Sequence, residues 1–151
     1  MSIIIPVETI EAYRNTRYDV HDGKTTISLR IGEINNGIAD FHRRRNVQSS
    51  VFITAWNPLG EYVSADENEK ANDELRKFLV DEAVDFLEGE GVGTDTTWPP
   101  EKSVLVLGVS KERAASLCKH FKQNAVVFIG QDCIPELMFH PDADNCNRFG
   151  L

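Results

Sequence analysis

The sequence predicts an α/β fold: a single domain with a mixed sheet of five or six strands and helices packed against it. Three observations lead there. Residues 103–109 (SVLVLGV) and 125–129 (AVVFI) are continuous apolar runs of strand length. Between them Ala114, Leu117, Cys118 and Phe121 recur at helical spacing after Ser110. Strand, helix and strand at this spacing predict a C-terminal βαβ unit with a right-handed crossover. Residues 64–67 (SADE) form a capping box, in which the serine hydroxyl accepts from the first turn and Glu67 can reach back. The helix it opens carries Ala71, Leu75, Phe78, Leu79, Ala83, Phe86 and Leu87 as one buried stripe and should end near Gly89. Residues 50–56 (SVFITAW) are apolar on both faces, as a central strand is. With the acidic helix as crossover, residues 51–109 would make a second, larger βαβ unit.

The remaining elements follow in chain order. Pro6 suits the first turn of a helix over roughly 7–16, because its missing N–H would be unpaired there anyway. Residues 18–20 are extended, and Asp22-Gly23 supplies a tight turn. Residues 25–31 alternate, with Ile27, Leu29 and Ile31 on one face of a half-buried strand. Gly32 ends it, and Ile34, Ile38 and Phe41 mark a short helix ending near Arg45. Residues 135–140 form a last, antiparallel strand. The domain covers residues 1–140, and residues 141–151 are a polar tail.

Composition narrows the function. The chain has 151 residues, 41% of them apolar, and a formal net charge of -8. That is an ordinary globular balance with the wrong sign for a phosphate-neutralising nucleic-acid binder. The charge is local. Residues 61–90 hold eleven acids and three bases, while the segments on either side are near neutrality. No apolar run approaches the roughly 20 residues of a membrane span, and the N-terminus lacks the basic head of a signal peptide. Cys118, Cys133 and Cys146 lack a framework spacing and read as reduced thiols in a cytoplasm.

Several motifs invite a functional reading that a structural one outweighs. Arg43-Arg44-Arg45 suits a helix C-terminus, where the dipole is negative. Residues 89–93 (GEGVG) resemble a phosphate loop, but they leave a helix instead of entering one, which makes them a helix stop and linker. Cys118, His120, Cys133, His140 and Cys146 offer no close pair of structural-zinc spacing, so neither a metal nor another cofactor is expected. No residues are assigned to catalysis, since no histidine is visibly coupled to a nucleophile.

Two polar groups stand out. Thr54 lies in an apolar strand, Asn57 just past its carboxyl end, and Asn68 on the buried stripe of the acidic helix. Ligands of open α/β sheets favour the carboxyl ends of strands. With strands 51–56 and 103–109 parallel, Thr54, Asn57, Asn68 and Ser110 would converge there. The structural alternative is that Asn57 builds its turn and Asn68 caps a neighbouring backbone group. The second group is Glu101, Ser103, Gln123 and Asn124, which parallel pairing would place at the opposite edge. Asn124 also fits a left-handed helix cap, a structural role.

Taken together, residues 13–18 (YRNTRY), 30–32 (RIG), 52–58 (FITAWNP), Asn68, 101–108 (EKSVLVLG) and 121–125 (FKQNA) resemble the bacterial domain-of-unknown-function family 3293 (DUF3293). The resemblance spans about residues 10–130. It implies a bacterial or phage-borne protein with no assigned activity, and it adds weight to Asn57, Asn68, Glu101, Ser103, Gln123 and Asn124. One departure is Lys122, where the family pattern leads us to expect a small residue such as glycine. The expected function is a binding module for a small polar, nucleotide-like ligand, because asparagine and threonine both donate and accept. The alternatives are a protein-interaction module using the acidic helix 64–88, and an enzyme of unknown reaction.

Overall fold

A computed structural model describes residues 2–95 and 97–149, the last three by their backbone alone. The elements are α1 (Val7–Arg14), β1 (Arg17–Asp22), β2 (Thr25–Leu29), α2 (Asn36–Arg44), β3 (Ser50–Ile53), α3 (Ala65–Asp81), β4 (Phe86–Val92), β5 (Glu101–Leu107), α4 (Lys111–His120), β6 (Ala125–Ile129), β7 (Glu136–Phe139) and α5 (Asp144–Phe149). Among the described residues seven strands form one sheet in the order β2-β1-β4-β5-β3-β6-β7.

The mixed α/β class stands, but the sheet has seven strands instead of five or six, and every neighbouring pair is antiparallel. The expected βαβ pairing is therefore corrected. β5 and β6 do run in the same direction, yet β3 lies between them, antiparallel to both. In the same way β5 separates β3 from β4. Two split units, β3-α3-β4 and β5-α4-β6, thus interleave, and the order β6-β3-β5-β4 is that of a ferredoxin-like β-α-β-β-α-β arrangement. Apolar runs do not distinguish this from parallel neighbours, because both faces of these strands are covered.

Leu75 and Leu79 of α3 and Ala114, Leu117 and Cys118 of α4 pack on one face, against Val51, Ile53, Val104, Val106, Val126 and Phe128. On the other face Ile38 and Phe41 of α2 meet Val20, Leu29, Phe52, Leu105, Val127 and Ile129. The sheet curls around α2. Gly32 N–H donates to the Pro135 carbonyl and Asn35 N–H to that of Cys133, each at 2.9 Å, tying the β2–α2 connection to the β6–β7 loop. Where the sequence suggests a polar tail, Ala143 and Cys146 are buried against Ile5 and Ile10. No described helix is long and apolar enough to cross a membrane.

The acidic helix is shorter than expected. Ser64 caps it as predicted, accepting from Glu67 N–H at 3.1 Å. It ends at Asp81 rather than near Gly89, and its supposed last turn is β4. The stop is a Schellman motif: Ala83 turns left-handed (φ +56), its N–H meets the Val80 carbonyl and that of Val84 meets Leu79. Ala83, Phe86 and Leu87 continued the helical period only by coincidence. The α4 end is built likewise on Lys122, with φ +54. The left-handed cap is Lys122 and not Asn124, which explains why glycine would fit that position.

The 89–93 segment is likewise not a linker: β4 runs through it to Val92, inside the sheet between β1 and β5. At Gly89 a Cβ atom would fall 2.4 Å from the Asp19 carbonyl oxygen, whereas at Gly91 its nearest neighbour would be Thr16 Cγ2 at 3.7 Å. Gly89→Ala should therefore destabilise by about 3 kcal/mol, as overpacking against backbone does. Gly91→Ala should cost well under half as much, and chemical denaturation of the two variants compares them directly.

Candidate functional site

Antiparallel pairing changes which residues meet. Ile53 lies opposite Val104 and Phe52 opposite Val127, so the carboxyl end of β3 faces the amino ends of β5 and β6. Thr54 and Asn57 therefore share an edge with Glu101, Ser103, Gln123 and Asn124. Ser110, beyond the carboxyl end of β5, sits at the other edge. The two expected groups are thus regrouped: the second joins Thr54, Asn57 and Asn68, and Ser110 leaves them. Ser110 caps α4, accepting from Arg113 N–H at 3.1 Å. It also lines a shallow cleft of about 600 Å³ with Val84, Gly108 and Arg113.

The asparagines hold the chain that leaves β3. Asn57 N–H donates to Asn68 Oδ1 at 2.8 Å, and Asn68 Nδ2 donates back to Asn57 Oδ1 at 3.0 Å. Asn57 is left-handed (φ +46), a conformation asparagine tolerates. One helical turn on, Asn72 Oδ1 accepts from Ala55 N–H at 2.8 Å and its Nδ2 donates to the Lys102 carbonyl at 3.1 Å. The Thr54 hydroxyl donates to the same carbonyl at 2.6 Å and accepts from Trp56 N–H at 3.1 Å. Asn72 is the member that sequence reading missed; its place four residues after Asn68 was the available signal.

The second group divides. Ser103 donates to the Glu101 carbonyl at 3.0 Å, and Gln123 Nε2 to the carbonyls of Phe121 and Trp56 at 3.2 and 3.4 Å. Asn124 Nδ2 donates to the Tyr13 hydroxyl at 3.2 Å, while the Tyr18 hydroxyl donates to the Tyr13 carbonyl at 2.6 Å. Glu101 differs from all of these. No hydrogen bond or ion pair to its carboxyl forms among the described residues, and burial alone pushes its pKa up to about 7. Burial raises the Tyr13 phenol, and the nearby Glu101 charge raises it further, against the lowering hydrogen bond from Asn124. The edge thus presents a carboxyl without a partner among the described residues, beside a phenol and a carboxamide.

Other candidates are committed elsewhere. Arg44 pairs with Asp40 and Asp22, Arg43 with Asp40, and Arg45 lies over the Phe41 ring. The Cys118 thiol is buried, which lifts its pKa to about 12. A histidine–serine contact does exist, His42 Nε2 to Ser50 Oγ at 2.8 Å, but both side chains are closed off under α2. On the acidic segment Glu69 pairs with Lys102, Glu82 with Arg113, and Asp73 and Glu88 with Arg76.

Fold and site together define an α/β protein with a curled antiparallel sheet and a half-buried carboxyl at one edge. The family model described as "Protein of unknown function (DUF3293)" matches residues 53–126, the family that the sequence resembles. The match runs from the last residue of β3 to the second residue of β6, so it covers α3, β4, β5 and α4 whole but little of β3 or β6, and neither Tyr13 nor Tyr18. No curated protein and no solved structure matches the chain.

Asn72→Ala would strand the Ala55 N–H and lose one of two bonds to the Lys102 carbonyl. It should lower the unfolding free energy by about 2 kcal/mol, measured by urea denaturation. Asn124→Ala, which loses a single long bond to a half-buried hydroxyl, should lower it by less than about 1 kcal/mol.

Proposed function

We propose that the chain is a binding module for a small polar ligand, received at the shared sheet edge by Glu101 with Tyr13 and Asn124 beside it. The observation that carries this reading is the carboxyl of Glu101. A half-buried carboxylate with no hydrogen bond or cation among the described residues loses part of its hydration without compensation, and perturbed carboxyls of this kind concentrate at functional sites. The packing of β5 gives no structural use for it. Thr54, Asn57 and Asn68 support the site from behind, since their polar atoms already hold the β3 exit.

The stability linkage has a definite sign. The folded-state pKa of Glu101 lies above its unfolded value, so the folded chain binds the proton more tightly. Its contribution is favourable at low pH and is lost as pH rises through about 7. Glu101→Gln should therefore raise the melting temperature at pH 8, by about 5 °C, and leave it nearly unchanged at pH 5. The same variant screened against a metabolite panel should lose the thermal shift that the unaltered protein shows. A panel in which both proteins respond to the same compound equally would refute the assignment of Glu101.

A further inference from the structure

Two exposed aromatic rings stand on the loops that frame this edge. Tyr62 follows the β3 exit, with Val63 N–H donating to Asn57 Oδ1 at 3.4 Å. Trp98 lies in the β4–β5 connection, three residues before Glu101. Their rings stack, with centroids 5.6 Å apart and planes 14° apart. They remain 73% and 57% exposed, so the pair is not part of the core. An aromatic face is negative and attracts a cation, most of all a flat one that can lie against it.

The charges of the two loops agree with this. Residues 54–63 and 93–101 contain Glu61, Asp95 and Glu101 and not one lysine or arginine. Of the bases beside these loops, Lys102 is engaged by Glu69 at 2.7 Å, and Lys122, whose carbonyl accepts from Leu59 N–H, is exposed at the end of α4. A phosphate would meet three acids and no free cation in these loops, whereas a guanidinium would find a carboxylate and a ring. A guanidinium is planar, donates in a fixed fork that matches a carboxylate, and stacks on aromatic faces.

The geometry points to a small molecule bearing a planar, delocalised cation, of guanidinium or amidinium type, as the ligand class of this edge, paired with Glu101 and stacked on Trp98 and Tyr62. This rests on the reading of Glu101 as the ligand-receiving group, and it replaces a nucleotide as the expected ligand.

The test uses three probes at pH 8: agmatine, putrescine and adenosine monophosphate. Binding is followed by calorimetry and by the Trp98 indole N–H signal. Agmatine should bind about tenfold more tightly than putrescine and move the Trp98 signal, and adenosine monophosphate should not bind. Trp98→Ala, an exposed change that leaves the core intact, should weaken agmatine more than putrescine and so erase the preference for agmatine. Glu101→Gln should weaken both amines. Equal binding of the two amines with an unmoved Trp98 signal, or a preference for the nucleotide, overturns the planar-cation inference while a ligand at Glu101 stands. Failure of all three probes, with a metabolite panel that treats Glu101→Gln and the unaltered protein alike, overturns both readings.

Discussion

β3 is the strand on which the rest of the structure depends. It is four residues long and fully buried, and it hydrogen-bonds to β5 on one side and β6 on the other, antiparallel to both. That insertion makes two β-α-β units interleave and puts α3 and α4 on the same face, where their leucines close one layer of the core. It also decides the site. Had β3 and β5 been parallel, Glu101 and Asn57 would stand at opposite edges of the sheet. With β3 reversed, the exit of one strand and the entries of two others meet, and backbone polar groups accumulate in a small space.

Those backbone groups are where α3 acts on the loop. Asn68 and Asn72, one turn apart, turn their carboxamides toward the β3 exit and bind Asn57, Ala55 and Lys102. A buried carboxamide is tolerated only when its donors and acceptors are matched, and here both are. Leu59 N–H continues the work by donating to the Lys122 carbonyl at 2.7 Å, which joins the loop to the end of α4. The loop that carries Tyr62 is therefore anchored at both ends to helices, although its left-handed residues Asn57 and Leu59 are not glycine. Against so well satisfied a background, the bare carboxyl of Glu101 is the exception.

Much of the element order was legible because it depends on local patterns. The Ser64 and Ser110 caps, the apolar runs of β3, β5 and β6 and the stripe of α4 all lie where periodicity and capping chemistry put them. β4 was hidden for a physical reason: Phe86 and Leu87 extend the helical stripe of Leu75 and Leu79, and only the left-handed Ala83 breaks it. The alternation Gly89-x-Gly91-x-Gly93 was the residual sign of a strand, with one glycine set against the Asp19 backbone. Strand direction was not legible at all, because an apolar run covered on both faces looks the same whichever way its neighbours run. This is why the polar residues of this edge were mostly named and yet divided between two edges, while Tyr13, Tyr62 and Trp98 were not named as site residues at all. Asn72, buried and structural, was missed although it follows Asn68 by one helical turn, because its neighbours Lys70, Asp73 and Glu74 make that stretch look like a solvated face.

On this reading Glu101 stands near the balance between neutral and charged at a half-buried edge, without a partner among the described residues, and a ligand completes it. The most direct measurement is the titration of the Glu101 side-chain carboxyl by carbon-detected NMR, assigned with Glu101→Gln. The account predicts a midpoint of about 7, set by burial, that falls when a cationic ligand is added. A midpoint in the ordinary glutamate range near 4.3, unmoved by ligand, would contradict it.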